Sequence, residues 1–198
     1  MKRVMIAVPC LNQVHIKFVA SLISMLFRKI DGIEYRLQFI ADSMTYTARI
    51  NLAQMALDMQ ADYILWIDSD MIFPADALEK LLAHEKDFVT GLYFMRRGNH
   101  EPVIYSEVTE DGIRKTCMEF PKDKLFEVAA CGFGMVLMKT SVIREVGSKA
   151  EGYTFQPFPR LGEDLSFCVR YGKPIFCDPT LKLSHIGEYE YTEGDWVK

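Results

Sequence analysis

Apolar residues recur along the first half of the chain with two spacings that take turns. Val4 to Val8 is a short run without a polar break, as expected of a central strand covered on both faces. From His15 to Lys29 the spacing changes to three and four: Phe18, Leu22, Met25, Leu26 and Lys29 recur, with Val19 and Ile23 widening the stripe. That pattern predicts a helix pressed on a sheet. Tyr35 to Ala41 reads as a second strand. Thr47 to Met59 reads as a second helix, with Leu52, Met55, Ala56 and Met59 on one face, and Tyr63 to Ile67 as a third strand, apolar throughout. Pro74-Ala75-Asp76 opens a third helix, because proline loses nothing in a first turn whose N–H groups have no partner anyway. Leu78, Leu81 and Leu82 bury that helix, and Phe88 to Phe94 is a fourth strand. Strand and helix in strict alternation predict a mainly parallel sheet with helices on both faces.

The second half reads differently. Glu101 to Lys139 predicts short antiparallel strands with turns at Asp111-Gly112 and Pro121-Lys122. Glu163 to Tyr171 is a short helix, and Pro174 to Cys177 and Lys182 to His185 are short strands. The tail from Gly187 to Lys198 carries no assignable pattern. With no repeat, low-complexity tract or linker, residues 1–198 read as one α/β domain. Residues 1–100 read as a half shaped for a nucleotide and residues 101–198 as a half shaped for something else.

Composition narrows the picture modestly. The 198 residues are 49% hydrophobic and 25% charged, as in ordinary globular proteins, and long enough to bury a core without a disulfide or structural metal. A net charge of −4 gives no general attraction to nucleic acid or anionic membrane. Five cysteines, an odd number with no C-x-x-C pair, read as reduced thiols and a cytoplasmic location. Met1-Lys2-Arg3 precedes an apolar run too short for a signal peptide, and no stretch is long enough for a transmembrane segment.

Four clusters carry candidate chemistry. Asp68-Ser69-Asp70 places two carboxylates one residue apart directly after a buried strand. Ligands of open α/β sheets bind at the carboxyl ends of strands, and a divalent cation relieves the repulsion between such acids. A solvated acidic turn is the plain alternative. Glu163-Asp164 opens a helix, where acids either offset the helix dipole or supply a general base. His185, in Ser184-His185-Ile186-Gly187, is a structural hydrogen-bonding residue or, if the fold brings it to Asp70, a metal ligand. In Cys131-Gly132-Phe133-Gly134 the two glycines permit close backbone approach or simply make a turn. Arg96, Arg97 and His100 form a small basic cluster, either solvated or in contact with phosphate.

Taken in order, Val8-Pro9-Cys10-Leu11-Asn12, Thr47-Ala48-Arg49-Ile50-Asn51, Asp68-Ser69-Asp70, Gly132-Phe133-Gly134, Gly162-Glu163-Asp164 and His185 resemble the GT-A fold glycosyltransferases, specifically the inverting family 2 group. The resemblance spans roughly residues 3–187. It implies a Rossmann-like single domain and a metal-dependent transfer of sugar from a nucleotide-sugar to an acceptor hydroxyl, with inversion. Asp70 and His185 would bind Mn²⁺ or Mg²⁺, and Asp68 would contact the metal through water or the ribose. Asp164 would be the base, with Glu163 orienting the acceptor. Pro9, Asp42, Arg49, Asp68, Ser69, Gly132 and Gly134 would line the nucleotide-sugar site. The family often shows adjacent Arg-Asn where Ile50 here separates Arg49 from Asn51, and the chain is short for the family. A UDP-sugar is the expected donor. A saccharide, a lipid-linked sugar, a protein hydroxyl or a hydroxylated DNA base is the expected acceptor. A sugar-phosphate nucleotidyltransferase is the competing enzyme reading, but Pro9 to Gln13 lacks the glycines of its phosphate loop. A non-catalytic sugar-nucleotide-binding relative would be favoured by loss of Asp70, Asp164 or His185, and all three are present.

Overall fold

The structure is a computed structural model that describes residues 1–42, 44–96 and 99–187. Arg97 and the tail beyond Gly187 lie outside the described residues. In chain order the elements are β1 (Lys2–Cys10), α1 (Ile16–Phe27), β2 (Ile33–Ala41), α2 (Thr45–Asp58), β3 (Tyr63–Ile67), β4 (Met71–Ile72), α3 (Ala77–Ala83) and β5 (Phe88–Gly91). They continue with β6 (Ile104–Val108), β7 (Arg114–Thr116), β8 (Phe126–Val128), β9 (Ala130–Cys131), β10 (Met135–Lys139), α4 (Thr140–Lys149), α5 (Glu163–Tyr171), β11 (Ile175–Asp178) and β12 (Ser184–His185).

A seven-stranded sheet in the order β2-β1-β3-β10-β5-β11-β8 forms the centre. β2, β1, β3, β5 and β11 share one direction, and β10 and β8 oppose it. Alternate residues of each central strand serve opposite faces, which explains the unbroken apolar runs. Val4, Ile6 and Val8 of β1, Leu65 and Ile67 of β3 and Leu137 of β10 meet Phe18, Leu22 and Met25 of α1 and Leu78 and Leu81 of α3. Met5, Ala7, Ile64, Trp66, Val136 and Met138 meet α2, α4 and α5 on the other face through Leu52, Ala56, Val142, Val146, Leu165 and Phe167. Aromatic rings dominate that second layer: Phe155 stacks on Phe167 at 4.6 Å between centroids and stands edge-on to Trp66 at 5.1 Å.

Three features differ from the sequence expectation. The apolar run Met135–Met138 is not part of a separate antiparallel region. It forms β10 and runs antiparallel between β3 and β5, so the second half of the chain completes the sheet of the first. Thr140–Lys149 is a helix that the sequence reading did not assign. Its apolar positions Val142, Ile143 and Val146 are all β-branched, which lowers helix propensity, and burial against the sheet overrides that preference. The fourth strand stops at Gly91, because the chain then leaves the sheet: the Leu92 N–H donates to the Asp178 carbonyl at 3.2 Å, and Phe94 bridges Pro102. None of the described helices is long and apolar enough to cross a membrane. All five cysteines are free, and burial pushes the Cys131 and Cys177 thiols up, which keeps them protonated.

Candidate active site

The carboxyl ends of β1, β2, β3, β5 and β11 fall on one edge of the sheet, and β10 begins there, with Met135 opposite Ile67. Nearly every candidate residue is delivered to this edge. Pro9, buried, sits at the end of β1 opposite Ile40. Asp42 follows β2: its N–H donates to the Cys10 carbonyl at 3.2 Å, and its Oδ1 accepts from the Met44 N–H at 3.1 Å. Leu11, Asn12, Ala41 and Asp42 line an open, mostly apolar hollow of about 390 Å³ beside them.

At the end of β3 the chain turns through Asp68-Ser69-Asp70. The Met71 N–H closes the turn on the Asp68 carbonyl at 3.2 Å, and the Asp68 N–H donates to the Gly134 carbonyl at 3.0 Å. The two carboxylates have different partners. Asp68 Oδ1 accepts from Arg49 Nη2 at 2.7 Å. Asp70 Oδ2 accepts from Arg96 Nη1 at 2.5 Å and lies 3.3 Å from His185 Nε2. His185 reaches Asp70 because β12 pairs with β4, His185 opposite Met71, and the Ile186 N–H donates to the Asp70 carbonyl at 2.8 Å. The other ring nitrogen, Nδ1, is 3.1 Å from the Phe94 carbonyl. A carbonyl can only accept, so Nδ1 carries a proton. Burial alone would raise the Asp70 carboxyl, but His185 and Arg96 outweigh it and hold it below the usual carboxylate range. The bond to Asp70 raises His185 against the opposing effect of burial.

Arg49 ties this turn to the second acidic cluster. It is only 2% exposed, although it is a charged residue on a helix. On α2 it falls on the stripe of Leu52, Ala53 and Ala56, so the apolar face of the helix carries it inward. Its guanidinium lies over Phe133 at 5.2 Å and Trp66 at 5.6 Å. Nη2 holds Asp68, and Nε donates to Glu163 Oε1 at 3.3 Å. Burial works against its charge, and Asp68, Glu163 and Asp164 more than offset that. Nη1 is buried and has no protein partner among the described residues.

Glu163 and Asp164 form the first turn of α5, whose amino end points to the same edge. Asp164 Oδ1 accepts from the Leu165 N–H at 2.7 Å. Burial, followed by the neighbouring Glu163 carboxylate, pushes the Asp164 carboxyl up to about 6. Asp164 is therefore a carboxyl poised to exchange a proton near neutrality, whereas Asp70 is held ionised. Acid–base sites commonly hold their acids at such different values.

Gly132 and Gly134 are buried, and the geometry gives them a packing reason. A methyl group on Gly132 would collide with the Tyr93 hydroxyl and lie 2.6 Å from Val103 Cγ1, and one on Gly134 would lie 2.7 Å from Tyr93 Cζ. The Gly134 N–H donates to the Tyr93 hydroxyl at 3.2 Å, and the Tyr93 ring stands edge-on to His185 at 5.5 Å. Tyr93 thus supports β10 and His185 from beneath. Sequence reasoning missed it, because the paired glycines signal a close approach without naming what approaches. Among the described residues no group of three or more His, Cys, Asp or Glu is arranged to hold a metal ion. His185 and Asp70 are together; Asp68 faces Arg49 instead.

A parallel-biased α/β sheet with acids gathered at its carboxyl edge defines a Rossmann-like class of fold, and solved structures share it. The chain is similar to A197 from STIV, with 20% identity and a TM-score of 0.65 over 95% of this chain and 87% of that one. It is also similar to the S. aureus glycosyltransferase TarS. Against TarS 1-349 the identity is 13% and the TM-score 0.55, over 93% of this chain and 60% of that one. Against a longer TarS chain the values are 14% and 0.56, over 93% and 36%. This chain therefore spans less than two thirds of either TarS chain. At these identities the likeness is one of fold alone, a fold that this chain shares with the glycosyltransferase TarS. No protein-family model matches the sequence, and no curated protein matches it.

Proposed function

We propose that this protein is a GT-A, family 2-like, metal-dependent glycosyltransferase that moves a sugar from a nucleotide-sugar to an acceptor hydroxyl with inversion. One observation carries the reading: acids about a hundred residues apart in sequence, Asp68 and Glu163, are held by the same buried arginine at the carboxyl edge of the sheet. That arrangement brings a donor-side acidic turn and a proton-accepting carboxyl, Asp164, into one site on a glycosyltransferase-like fold.

The residues fit a divalent cation. Asp70 Oδ2 and His185 Nε2 converge at 3.3 Å, and the Phe94 carbonyl holds the opposite ring nitrogen, as a backbone carbonyl often does behind a metal-bound histidine. An oxygen and an imidazole donor suit Mn²⁺ better than Mg²⁺, with phosphate oxygens and water filling the remaining positions. When bound, the cation would neutralise the charge that develops on the leaving diphosphate. The chain's own residues do the rest. Pro9, Asp42 and Ser69 border the place for the nucleoside. Arg49 keeps Asp68 and Glu163 in register. Asp164 accepts the proton of the acceptor hydroxyl as that oxygen attacks the anomeric carbon from the side opposite the diphosphate. A UDP-sugar is the proposed donor, and a saccharide, lipid-linked sugar, protein or modified DNA base the proposed acceptor.

The test is nucleotide release from UDP-, GDP- and dTDP-sugars with Mn²⁺ or with EDTA. Release from one donor that needs Mn²⁺ and is lost in Asp70→Ala supports the reading. Release that proceeds equally in EDTA removes the metal from it, and no release from any donor, with no nucleotide binding, removes the transferase itself.

A further inference from the structure

Arg96 stands where a cation would have to go. Its Nη1 takes the same carboxylate oxygen, Asp70 Oδ2, that faces His185 Nε2. A cation bound between Asp70 and His185 would compete for that oxygen with the guanidinium 2.5 Å away and would repel its charge. The Arg96 side chain is nearly half exposed. The Met95 N–H donates to the Glu101 carbonyl at 2.9 Å, His100 Nδ1 is 2.9 Å from the Met95 carbonyl, and Phe94 bridges Pro102. None of these bonds involves the Arg96 side chain, so it can leave Asp70 without breaking them. The site that it would vacate keeps its other supports, the His185–Phe94 bond and the β4–β12 pairing.

Resting on the glycosyltransferase reading, we propose that Arg96 is a counterion that changes partner: it neutralises Asp70 in the ligand-free protein and turns onto the donor diphosphate when cation and donor bind. The exchange leaves the Asp70 carboxylate with a cationic partner at each stage. Without ligand, the Arg96 guanidinium balances the Asp70 carboxylate. With ligand, the cation takes Asp70 and repels the guanidinium, while the diphosphate brought by the donor offers oxygens in the geometry that a planar guanidinium binds best. Arg96 thus competes with the metal when no donor is present and assists it when donor is present.

Opposite effects of one substitution distinguish this role from a structural one. Mn²⁺ binding to the full chain is titrated by the electron paramagnetic resonance of free Mn²⁺, for wild type, Arg96→Gln, Arg96→Lys and Asp70→Asn. UDP binding at saturating Mn²⁺ is measured in parallel. Without nucleotide, Arg96→Gln binds Mn²⁺ about two- to fivefold more tightly than wild type, the size expected for removal of an exposed ion pair. With Mn²⁺ saturating, the same variant binds UDP about tenfold more weakly, through loss of a charge-assisted contact to phosphate. Arg96→Lys keeps the charge and falls between, and Asp70→Asn loses the Mn²⁺ site. Mn²⁺ affinity that is unchanged or weaker in Arg96→Gln overturns the competition, and unchanged UDP affinity overturns the transfer to diphosphate. No Mn²⁺ binding in any variant overturns the proposal at its root. Nucleotide release in EDTA would then still uphold a transferase without metal. Mn²⁺ and UDP binding with no turnover of any donor would instead sink the transferase reading alone.

Discussion

Asp164 and Arg49 carry the tightest constraints at the scale of single residues. The Asp164 carboxyl is raised from its ordinary value to about 6, so as a base it works only when ionised. Turnover should rise with pH and level off above an apparent pKa near 6, whereas binding of the nucleotide should not follow that curve. A flat profile from pH 5 to 8 contradicts the base assignment. The same shift has a stability consequence of definite sign. A carboxyl whose pKa is higher folded than unfolded stabilises the fold below its unfolded value, near 4, and that contribution is lost as pH rises through about 6. Asp164→Asn should therefore be more stable than wild type at pH 7.5, by on the order of 1 kcal/mol once solvent screening is allowed for. Its melting temperature gives the check. Arg49 behaves in the reverse way. Arg49→Met leaves Asp68 and Glu163 without their shared counterion in a half-buried site and should cost about 3 kcal/mol of stability. Denaturant unfolding reads that loss, and a cost below about 0.5 kcal/mol would show that the bridge is not holding the site. Arg49 was legible as a candidate but not as a link, since its partners lie 19 and 114 residues away.

Elements differed in legibility for physical reasons. β3 and α5 were read with the same bounds that the structure shows, because each is short and sharply ended. The place of β10 was not legible: an apolar run buried on both faces says that a strand is central, not which neighbours it has. α4 was missed because its β-branched face carries a strand preference that tertiary packing overrides. Two expectations follow at this scale. Backbone amides of β10, hydrogen-bonded on both sides between β3 and β5, should exchange with solvent more slowly than those of β6 and β7 in the outlying three-stranded sheet. Gly132→Ala should destabilise the protein by about 1–3 kcal/mol by driving a methyl into Tyr93 and Val103. Combined with Tyr93→Phe, which removes the hydroxyl at the point of collision, the loss should be smaller than the sum of the two single changes. Strict additivity in that double-mutant cycle would show that Tyr93 is not what the glycine accommodates.

Seen as a whole molecule, the fold does what the alternating pattern of the first half predicts and then closes the sheet with strands from the second. The site is a product of that closure. Asp68 and Asp70 arrive from the first half, Glu163, Asp164 and His185 from the second, and they meet because β10 and β12 return to the edge that β3 created. The acidic turn after a buried strand marked that edge in the sequence. Tyr93, which supports the edge from below, and the pairing of Arg96 with Asp70 left no local signature, since each depends on contacts across distant stretches of chain. The separation of binding from chemistry is the most direct test of the account. Nucleotide binding and sugar transfer would be measured side by side for wild type, Asp70→Ala and Asp164→Asn, with Mn²⁺ present. The account predicts that Asp70→Ala loses both, and that Asp164→Asn keeps nucleotide binding while transfer falls about 10²–10⁴-fold, the usual contribution of a general base. Transfer at the wild-type rate in Asp164→Asn, or nucleotide binding undiminished in Asp70→Ala, would contradict it.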